Sequence, residues 1–171
     1  MDRRFETDRL VLRRWRVSEA AIQRELWLER DDRIPPHRRI DSEGHPSVHD
    51  LEQRIRDEVR SPVLGLLALE RKQEGDVIGY CGLLDSDKGA AGEPEIAFEL
   101  LTRSRGQGYA TEAARAVLEW AADAGHVRVW ATVRAWNHAS LHVLAKLDFD
   151  DTGRVEPDEV YGDTLYLAKR L

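Results

Sequence analysis

A short basic loop with two glycines is the first feature of this sequence that could do chemistry. The stretch RSRGQG runs from Arg103 to Gly108 and leads directly into the Ala-rich segment YATEAARAVLEWA. Gly106 would let a ligand approach the backbone closely, and a helix starting at Tyr109 would aim unpaired N–H groups and its positive dipole end at an anion. The pattern predicts an anion-binding loop; an ordinary tight turn between a strand and a helix is the alternative.

Two familiar phosphate-binding loops do not fit this spacing. A Walker loop requires Gly-Lys-Ser/Thr after its glycines, and the dinucleotide-binding fingerprint requires a third glycine where this chain has Thr111. A nucleotide-binding domain that uses the same loop in another way stays open as a further alternative.

Metal chemistry is not predicted. His138 and His142 stand four residues apart, which is a spacing that metal ligands use, but the chain has no HExxH motif and no obvious third ligand. The single cysteine, Cys81, cannot form an internal disulfide, and it is expected to be a small buried hydrophobic residue.

The elements that must position the loop follow from the spacing of apolar residues. Their order is β α α β β β α β α β β, which predicts a mixed α+β fold around one sheet. Before the glycine loop we expect a strand within 9–16, helices from Ser18 and from Ser47, and strands over 63–70, 76–84 and 95–101. After it we expect helices over 109–122 and 137–147 and strands over 127–133, 149–155 and 161–168. In the strand EIAFELL, Glu95 and Glu99 share one face.

Composition limits the class of protein. A chain of 171 residues is expected to form a single domain, 1–171, and 42% hydrophobic residues suffice for a core. The net charge of −6 argues against nucleic acid as a partner. The longest apolar stretch, Val63 to Leu69, is far shorter than the roughly 20 residues that span a membrane. The N-terminus has no apolar signal region, so we expect a cytoplasmic protein.

Three segments in the expected order resemble one family. The loop Arg103-x-x-Gly106-x-Gly108 resembles the acetyl-CoA pyrophosphate loop of the GCN-related N-acetyltransferases (GNAT). The segment Asn137-x-x-Ser140, followed by VLAKLDF, resembles the asparagine helix of the same family. The opening ETDRLVLR is similar to the start of the RimJ/RimL-like branch. Together these matches span nearly the whole chain.

The resemblance implies a GNAT-like single domain with a mostly antiparallel twisted sheet of about seven strands and about four helices. It also implies acetyl-CoA as co-substrate and no metal. Backbone N–H groups of the loop would bind the pyrophosphate, two arginines would add charge, one strand would pair with the pantetheine arm, and Asn137 would either contact that arm or cap its helix. The cofactor-binding residues so assigned are Glu99, Leu100, Leu101, Arg103, Arg105, Gly106, Gln107, Gly108, Tyr109, Ala110, Thr111 and Asn137.

Catalytic roles are also carried over from the resemblance. Glu95 matches the position where some members, notably histone acetyltransferases, have a catalytic glutamate, so we expect it to act as the base, directly or through water. A solvent-facing carboxylate is the alternative. Many members have a tyrosine as general acid where this chain has Leu144, so Ser140 is the substitute candidate. Asp148 replaces the usual glycine before Phe149, and we expect it in a left-handed conformation at a small local cost.

The expected activity is transfer of an acetyl group to a primary amine by direct attack in a ternary complex. The acceptor would be a protein N-terminal α-amine or a small-molecule amine, with neither nucleic acid nor a membrane as partner. A homodimer is a possible assembly. The rival hypothesis is a non-catalytic acyl-CoA-binding module with the same fold, suggested by Leu144 and Asp148.

Overall fold

One eight-stranded sheet with helices on both faces forms the computed structural model of the protein, which describes residues 4–58 and 65–171. The strands are β1 Phe5–Glu6, β2 Leu10–Arg13, β3 Gly65–Arg71, β4 Val77–Leu84, β5 Glu95–Leu100, β6 Arg128–Arg134, β7 Asp150–Glu156 and β8 Thr164–Arg170. The helices are α1 Ala20–Leu28, α2 Val48–Asp57, α3 Tyr109–Asp123 and α4 His138–Lys146.

The strands lie in the order β1-β2-β3-β4-β5-β6-β8-β7. Every neighbouring pair is antiparallel except β5 and β6, which are parallel and share a single pair of residues, Glu95 and Trp130. Helices α3 and α4 pack on one face of the sheet, and α1 and α2 cover part of the other. The core is therefore split by the sheet into a large cluster and a small one.

These observations confirm the mixed α+β class, the mostly antiparallel sheet and the four helices. The strand count is higher than expected because Phe5–Glu6 adds a short edge strand to β2. The first strand is shorter than expected, since the chain turns at Arg16, whose N–H donates to the Glu19 carboxylate. Of the predicted strand over 63–70, residues 63 and 64 lie outside the described residues. The described strand runs from Gly65 to Arg71.

A buried ion network ties β2 to β3 and to the turn before α1. The Arg13 guanidinium lies between Glu19, with Nη2 to Oε1 at 2.6 Å, and Glu70, with Nε to Oε2 at 2.8 Å. Burial would raise the pKa of Glu19, but the hydrogen bonds and charge of Arg13 and the Arg16 N–H outweigh it and hold that pKa below its ordinary value. Since the pKa is lowered on folding, this stabilisation is present at neutral pH and is lost as the pH falls below about 4.

We expect Arg13→Ala to lower the free energy of unfolding by about 3 kcal/mol, because it leaves two carboxylates without their counter-charge. Arg16→Ala is the matched control: Arg16 is 63% exposed, against 10% for Arg13, and its ion pairs are at 3.8 Å. Its cost should stay within about 1 kcal/mol. Denaturant unfolding at pH 7 measures both, and equal losses would contradict the assignment.

Helix α4 ends in a left-handed residue, as expected from the sequence. Asp148 has φ of 57°, and the N–H of Phe149 reaches back to the Leu144 carbonyl at 3.1 Å. An aspartate in this conformation carries strain that glycine does not.

We expect Asp148→Gly to raise the free energy of unfolding by roughly 0.5–1 kcal/mol. This is the free energy of the strain that is relieved, minus the entropic cost of ordering glycine, which is more flexible in the unfolded chain. Among the described residues, the Asp148 side chain makes only a 3.9 Å contact with Lys169, which would be lost. Asp148→Ala, which keeps a side chain at the same backbone position, serves as the control and should give no gain in thermal or denaturant unfolding. A destabilised glycine variant would show that the side chain matters more than the strain.

Candidate active site

A wedge-shaped cleft opens where β5 and β6 separate. The N–H of Trp130 donates to the Pro94 carbonyl at 2.8 Å, and beyond the Glu95–Trp130 pair the two strands no longer bond to each other in register. At this apex the Glu95 carboxylate accepts hydrogen bonds from the backbone N–H of Thr132, at 3.1 Å, and from the Thr132 hydroxyl, both through Oε1. The sequence-predicted Glu95 therefore stands at the closed end of the cleft.

The backbone of β5 offers alternating groups to the cleft. The Leu101 N–H donates to the Ile78 carbonyl at 2.9 Å, which directs Glu99 and Leu101 toward β4. By the same alternation the backbone groups of Phe98 and Leu100 point toward β6 and the cleft. Of the three predicted strand residues, Leu100 directs its backbone toward the cleft, whereas Glu99 and Leu101 direct theirs toward β4. Phe98, which was not predicted, also faces the cleft with its backbone. Phe98 was missed because the sequence does not fix which set of residues bonds to β4.

The glycine loop presents a row of backbone donors at the open end of the cleft. Gly106 and Gly108 have φ of 73° and 83°, in the left-handed region that favours glycine. In the described part of the chain, the N–H groups of residues 106–111 meet no acceptor, and helix α3 pairs its backbone only from Glu112, which bonds to the Gly108 carbonyl. A Cβ on Gly106 would have open space around it. The predicted loop residues Gly106, Gln107, Gly108, Tyr109, Ala110 and Thr111 thus form one arc of backbone donors, the donor arc, of the kind that binds anions in other proteins.

The two loop arginines are engaged with the protein. Arg103, 51% exposed, pairs with Glu25 of α1, and the Nε of Arg105 donates to the Leu100 carbonyl at 2.9 Å. Arg105 therefore links the loop to β5 at the mouth of the cleft.

Residues before β2 hold the loop in place, which the sequence pattern alone did not reveal. The Nε of Arg9 binds Glu112 at 2.7 Å, an Nη donates to the Gln107 carbonyl at 3.0 Å, and the guanidinium lies 4.4 Å above the centre of the Tyr109 ring. The Thr7 hydroxyl and the Arg9 N–H also donate to Glu112. Burial raises the pKa of Glu112, but these donors outweigh it and lower that pKa overall. The ETDRL motif near the start of the sequence, which contains Thr7 and Arg9, was the signal that could have indicated this contact.

The first turn of α4 lies at the same end of the sheet. The Asn137 side chain accepts from the Ser140 N–H at 3.2 Å, so it caps the helix, while its amide nitrogen bonds to no described residue. The Ser140 hydroxyl is half-buried and likewise has no partner within the described ranges. Leu144, fully buried, packs in the large core with Leu147 and Phe149. No hydroxyl is available from position 144.

On the α1 side of the sheet, Glu99 is fixed by a buried cluster. Arg30 binds the Glu99 carboxylate through two nitrogens at 2.8 and 3.0 Å, and the Tyr80 hydroxyl donates to it at 2.8 Å. Burial, reinforced by the charge of Glu99, raises the pKa of Tyr80. The Glu99 side chain is therefore structural. Trp27 stacks on Arg30 at 4.2 Å as part of the same cluster.

Three loops meet near the cleft at Trp136. Its indole N–H donates to the Tyr161 carbonyl at 2.8 Å, and Arg33 from the α1–α2 loop lies 4.1 Å above its ring. Two acidic groups near that loop act locally. Asp41, in the loop, accepts backbone N–H groups of its own turn. Asp50, in the first turn of α2, accepts from the N–H of the helix cap Ser47 and binds His45.

Other candidate chemistry is not assembled by the fold. His138 and His142 are exposed, and no group of three His, Cys, Asp or Glu residues within 4–58 and 65–171 could hold a metal ion. Cys81 is buried in the large core, where burial raises the pKa of its thiol. No helix among the described residues is long and apolar enough to cross a membrane.

The chain is similar to known proteins over most of its length. A family model described as an acetyltransferase (GNAT) domain matches residues 9–150. The chain is similar to the uncharacterized N-acetyltransferase p20 of Bacillus licheniformis, with 26% identity over 151 residues, 86% of this chain and 82% of that protein.

Solved structures share the fold. A GNAT-family acetyltransferase from Bacillus anthracis has a TM-score of 0.79 at 19% identity and covers 98% of both chains. RimJ of Mycobacterium smegmatis, solved with CoA-disulfide, has a TM-score of 0.74 at 24% identity, covering 94% of this chain and 81% of that one. A spermidine N-acetyltransferase SpeG chimera from Vibrio cholerae and hSSAT has 0.74 at 14%, covering 94% and 95%. Because the acetyltransferase (GNAT) model matches residues 9–150, which is most of the chain, the chain belongs to the GNAT acetyltransferase family.

Proposed function

We propose that this protein transfers the acetyl group of acetyl-CoA to a primary amine by direct attack in a ternary complex. The family supplies the acetyl-CoA-dependent chemistry. The observation that carries the proposal is the placement of two features on one cleft: the donor arc of residues 106–111 at its mouth and the Glu95 carboxylate at its apex. Their spacing along β5 suits a long cofactor arm that runs between them.

The residues of the cleft fit acetyl-CoA from one end to the other. The donor arc would hold the pyrophosphate, with Arg103 and Arg105 nearby. The N–H and carbonyl of Phe98 and the N–H of Leu100 would pair with the amides of the pantetheine arm as an added strand does, while the Leu100 carbonyl already accepts from Arg105. The Asn137 amide nitrogen, which bonds to no described residue, would donate to the same arm from α4.

Glu95 is proposed to take the proton from the attacking amine. Oε1 is occupied by Thr132, and Oε2 has no hydrogen bond to a described residue, so it is the oxygen that faces the acceptor or a bridging water. The new bond joins the amine nitrogen to the acetyl carbon, and the bond from that carbon to sulfur breaks. Ser140 would donate a hydrogen bond to the leaving sulfur, in place of the tyrosine that Leu144 replaces.

The acceptor is proposed to be a protein N-terminal α-amine or a small-molecule amine. Structural relatives include RimJ and a spermidine N-acetyltransferase, at identities of 24% and 14%. The second candidate function is an acyl-CoA-binding module without turnover. It is favoured by one observation, the burial of Leu144 at the position of the usual acid.

Cofactor binding is tested by thermal unfolding with acetyl-CoA, desulfo-CoA, ATP and NAD. At about 100 times its dissociation constant a ligand adds ~2.7 kcal/mol, so CoA compounds should raise the melting temperature while ATP and NAD should not. Gly106→Glu should abolish the response, because a carboxylate would enter the donor arc. Gly125→Glu is the matched control, since Gly125 also has a positive φ, 88°, and open space, but lies beyond the far end of α3. A response to ATP equal to that of acetyl-CoA would point to a nucleotide-binding domain instead.

Turnover is tested by thiol release with a panel that includes spermidine and peptides with free N-termini. We expect Glu95→Gln to lower kcat about 10²-fold or more, the usual contribution of a general base, with acetyl-CoA affinity unchanged. Ser140→Ala should lower kcat about tenfold, because a thiolate leaves with little assistance. Stabilisation by acetyl-CoA without thiol release for any amine would support the non-catalytic module.

A further inference from the structure

The ladder between β5 and β6 ends at a side chain. The Trp130 N–H donates to the Pro94 carbonyl, as in a regular parallel pair. Two residues later a regular ladder would continue from the Thr132 N–H to the Ile96 carbonyl. Instead the Thr132 N–H donates to Oε1 of Glu95 at 3.1 Å. The carboxylate has therefore taken the donor that the next rung of the ladder needs.

We propose that Glu95 is the wedge that ends this ladder and fixes the depth of the cofactor cleft, and that Thr132 is a positioning residue that clamps Oε1 and leaves Oε2 for the acceptor. The wedge stands on geometry alone, whereas the positioning of Oε2 rests on the proposed function of Glu95 as base. The two oxygens thus have separate tasks.

Thr132 suits this role because it offers two donors to one oxygen. Its hydroxyl and its backbone N–H both bind Oε1, and hydrogen bonds to an ionised carboxylate are stronger than neutral ones. Its other neighbour is Tyr166 of β8, so Thr132 is held in the sheet on the side away from the cleft. The clamp is anchored on a paired strand and does not depend on a loop.

The wedge also explains which backbone groups remain for a ligand. Because the Thr132 N–H is diverted, the Ile96 carbonyl has no ladder partner on β6. The cleft-facing groups of Phe98 follow it along β5. A ligand with amide groups, such as a pantetheine arm, can pair with these groups only where β6 does not.

Four variants separate the two tasks. Glu95→Ala removes the acceptor, so the Thr132 N–H should turn to the Ile96 carbonyl and acetyl-CoA affinity should fall about tenfold, the order expected for competition by a backbone hydrogen bond. Glu95→Asp keeps the charge but shortens the side chain, so acetyl-CoA affinity should fall by a similar factor. This variant tests the wedge if Glu95→Ala does not fold. Glu95→Gln keeps an oxygen for Thr132 and should bind acetyl-CoA as the wild type does. Thr132→Val removes only the hydroxyl.

For Thr132→Val we expect kcat to fall about tenfold, with KM for the acceptor and affinity for acetyl-CoA within about twofold of the wild type. The Thr132 N–H still binds Glu95, so the wedge is kept, but without the hydroxyl the reacting oxygen Oε2 loses its alignment. Thr132→Ser should restore kcat to near the wild-type value. Thr164→Val, on β8 and without a side-chain hydrogen bond to a described residue, is the matched control and should leave kcat unchanged.

The outcomes distinguish this inference from the proposed function. Wild-type acetyl-CoA affinity in Glu95→Ala and Glu95→Asp overturns the wedge, whatever the turnover. Full turnover in Glu95→Gln overturns the role of Glu95 as base. The wedge is then judged by the acetyl-CoA affinities of Glu95→Ala and Glu95→Asp. Equal kcat in Thr132→Val and Thr164→Val overturns the positioning role. Calorimetric titration with acetyl-CoA and steady-state kinetics on the same samples supply both readouts.

Discussion

The cleft exists because β5 and β6 bond to each other at one pair of residues and then separate. Parallel strands in the middle of a sheet normally continue their ladder, since unpaired backbone groups away from water cost free energy. Here the cost is reduced at the apex by the Glu95 side chain, which satisfies the Thr132 N–H. Further out, the cleft-facing backbone of β5 has no partner strand on β6. In the proposed function, this unpaired edge of the sheet binds the amides of the ligand.

The rest of the fold keeps this opening in a fixed position. On one side, the two residues that follow α1 contact β5 and the turn after it: Arg30 binds Glu99, and Glu29 accepts from the Thr102 N–H at 2.7 Å. On the other, Arg9 and Glu112 join the start of β2 to the start of α3. The donor arc lies between these two attachments. Its N–H groups are consequently preorganised, so that an anion does not have to order them on binding.

The sequence predicted the local features well and the long-range ones poorly. The glycine loop, the helix that follows it and the left-handed Asp148 are set by neighbouring residues, so their patterns were sufficient. The clamp between Thr132 and Glu95 joins positions 37 apart, and the bond from Arg9 to Glu112 joins positions 103 apart. No periodicity encodes such a pairing. The bonding direction of the β5 backbone depends on register with β4, which a single strand does not reveal.

In the proposed function, one carboxylate both ends a ladder and takes a proton, and this double use constrains how the site can vary. A neutral isostere can serve the first task, because an amide oxygen also accepts from an N–H, but it cannot serve the second. A shorter acid keeps the charge but withdraws the oxygen from Thr132. Among ordinary side chains, glutamate alone combines this reach with this charge at position 95. A protein that kept the fold and gave up catalysis would be free to hold glutamine there, so the glutamate at the apex of this cleft favours an enzyme over a binding module, even though Leu144 has removed the usual acid.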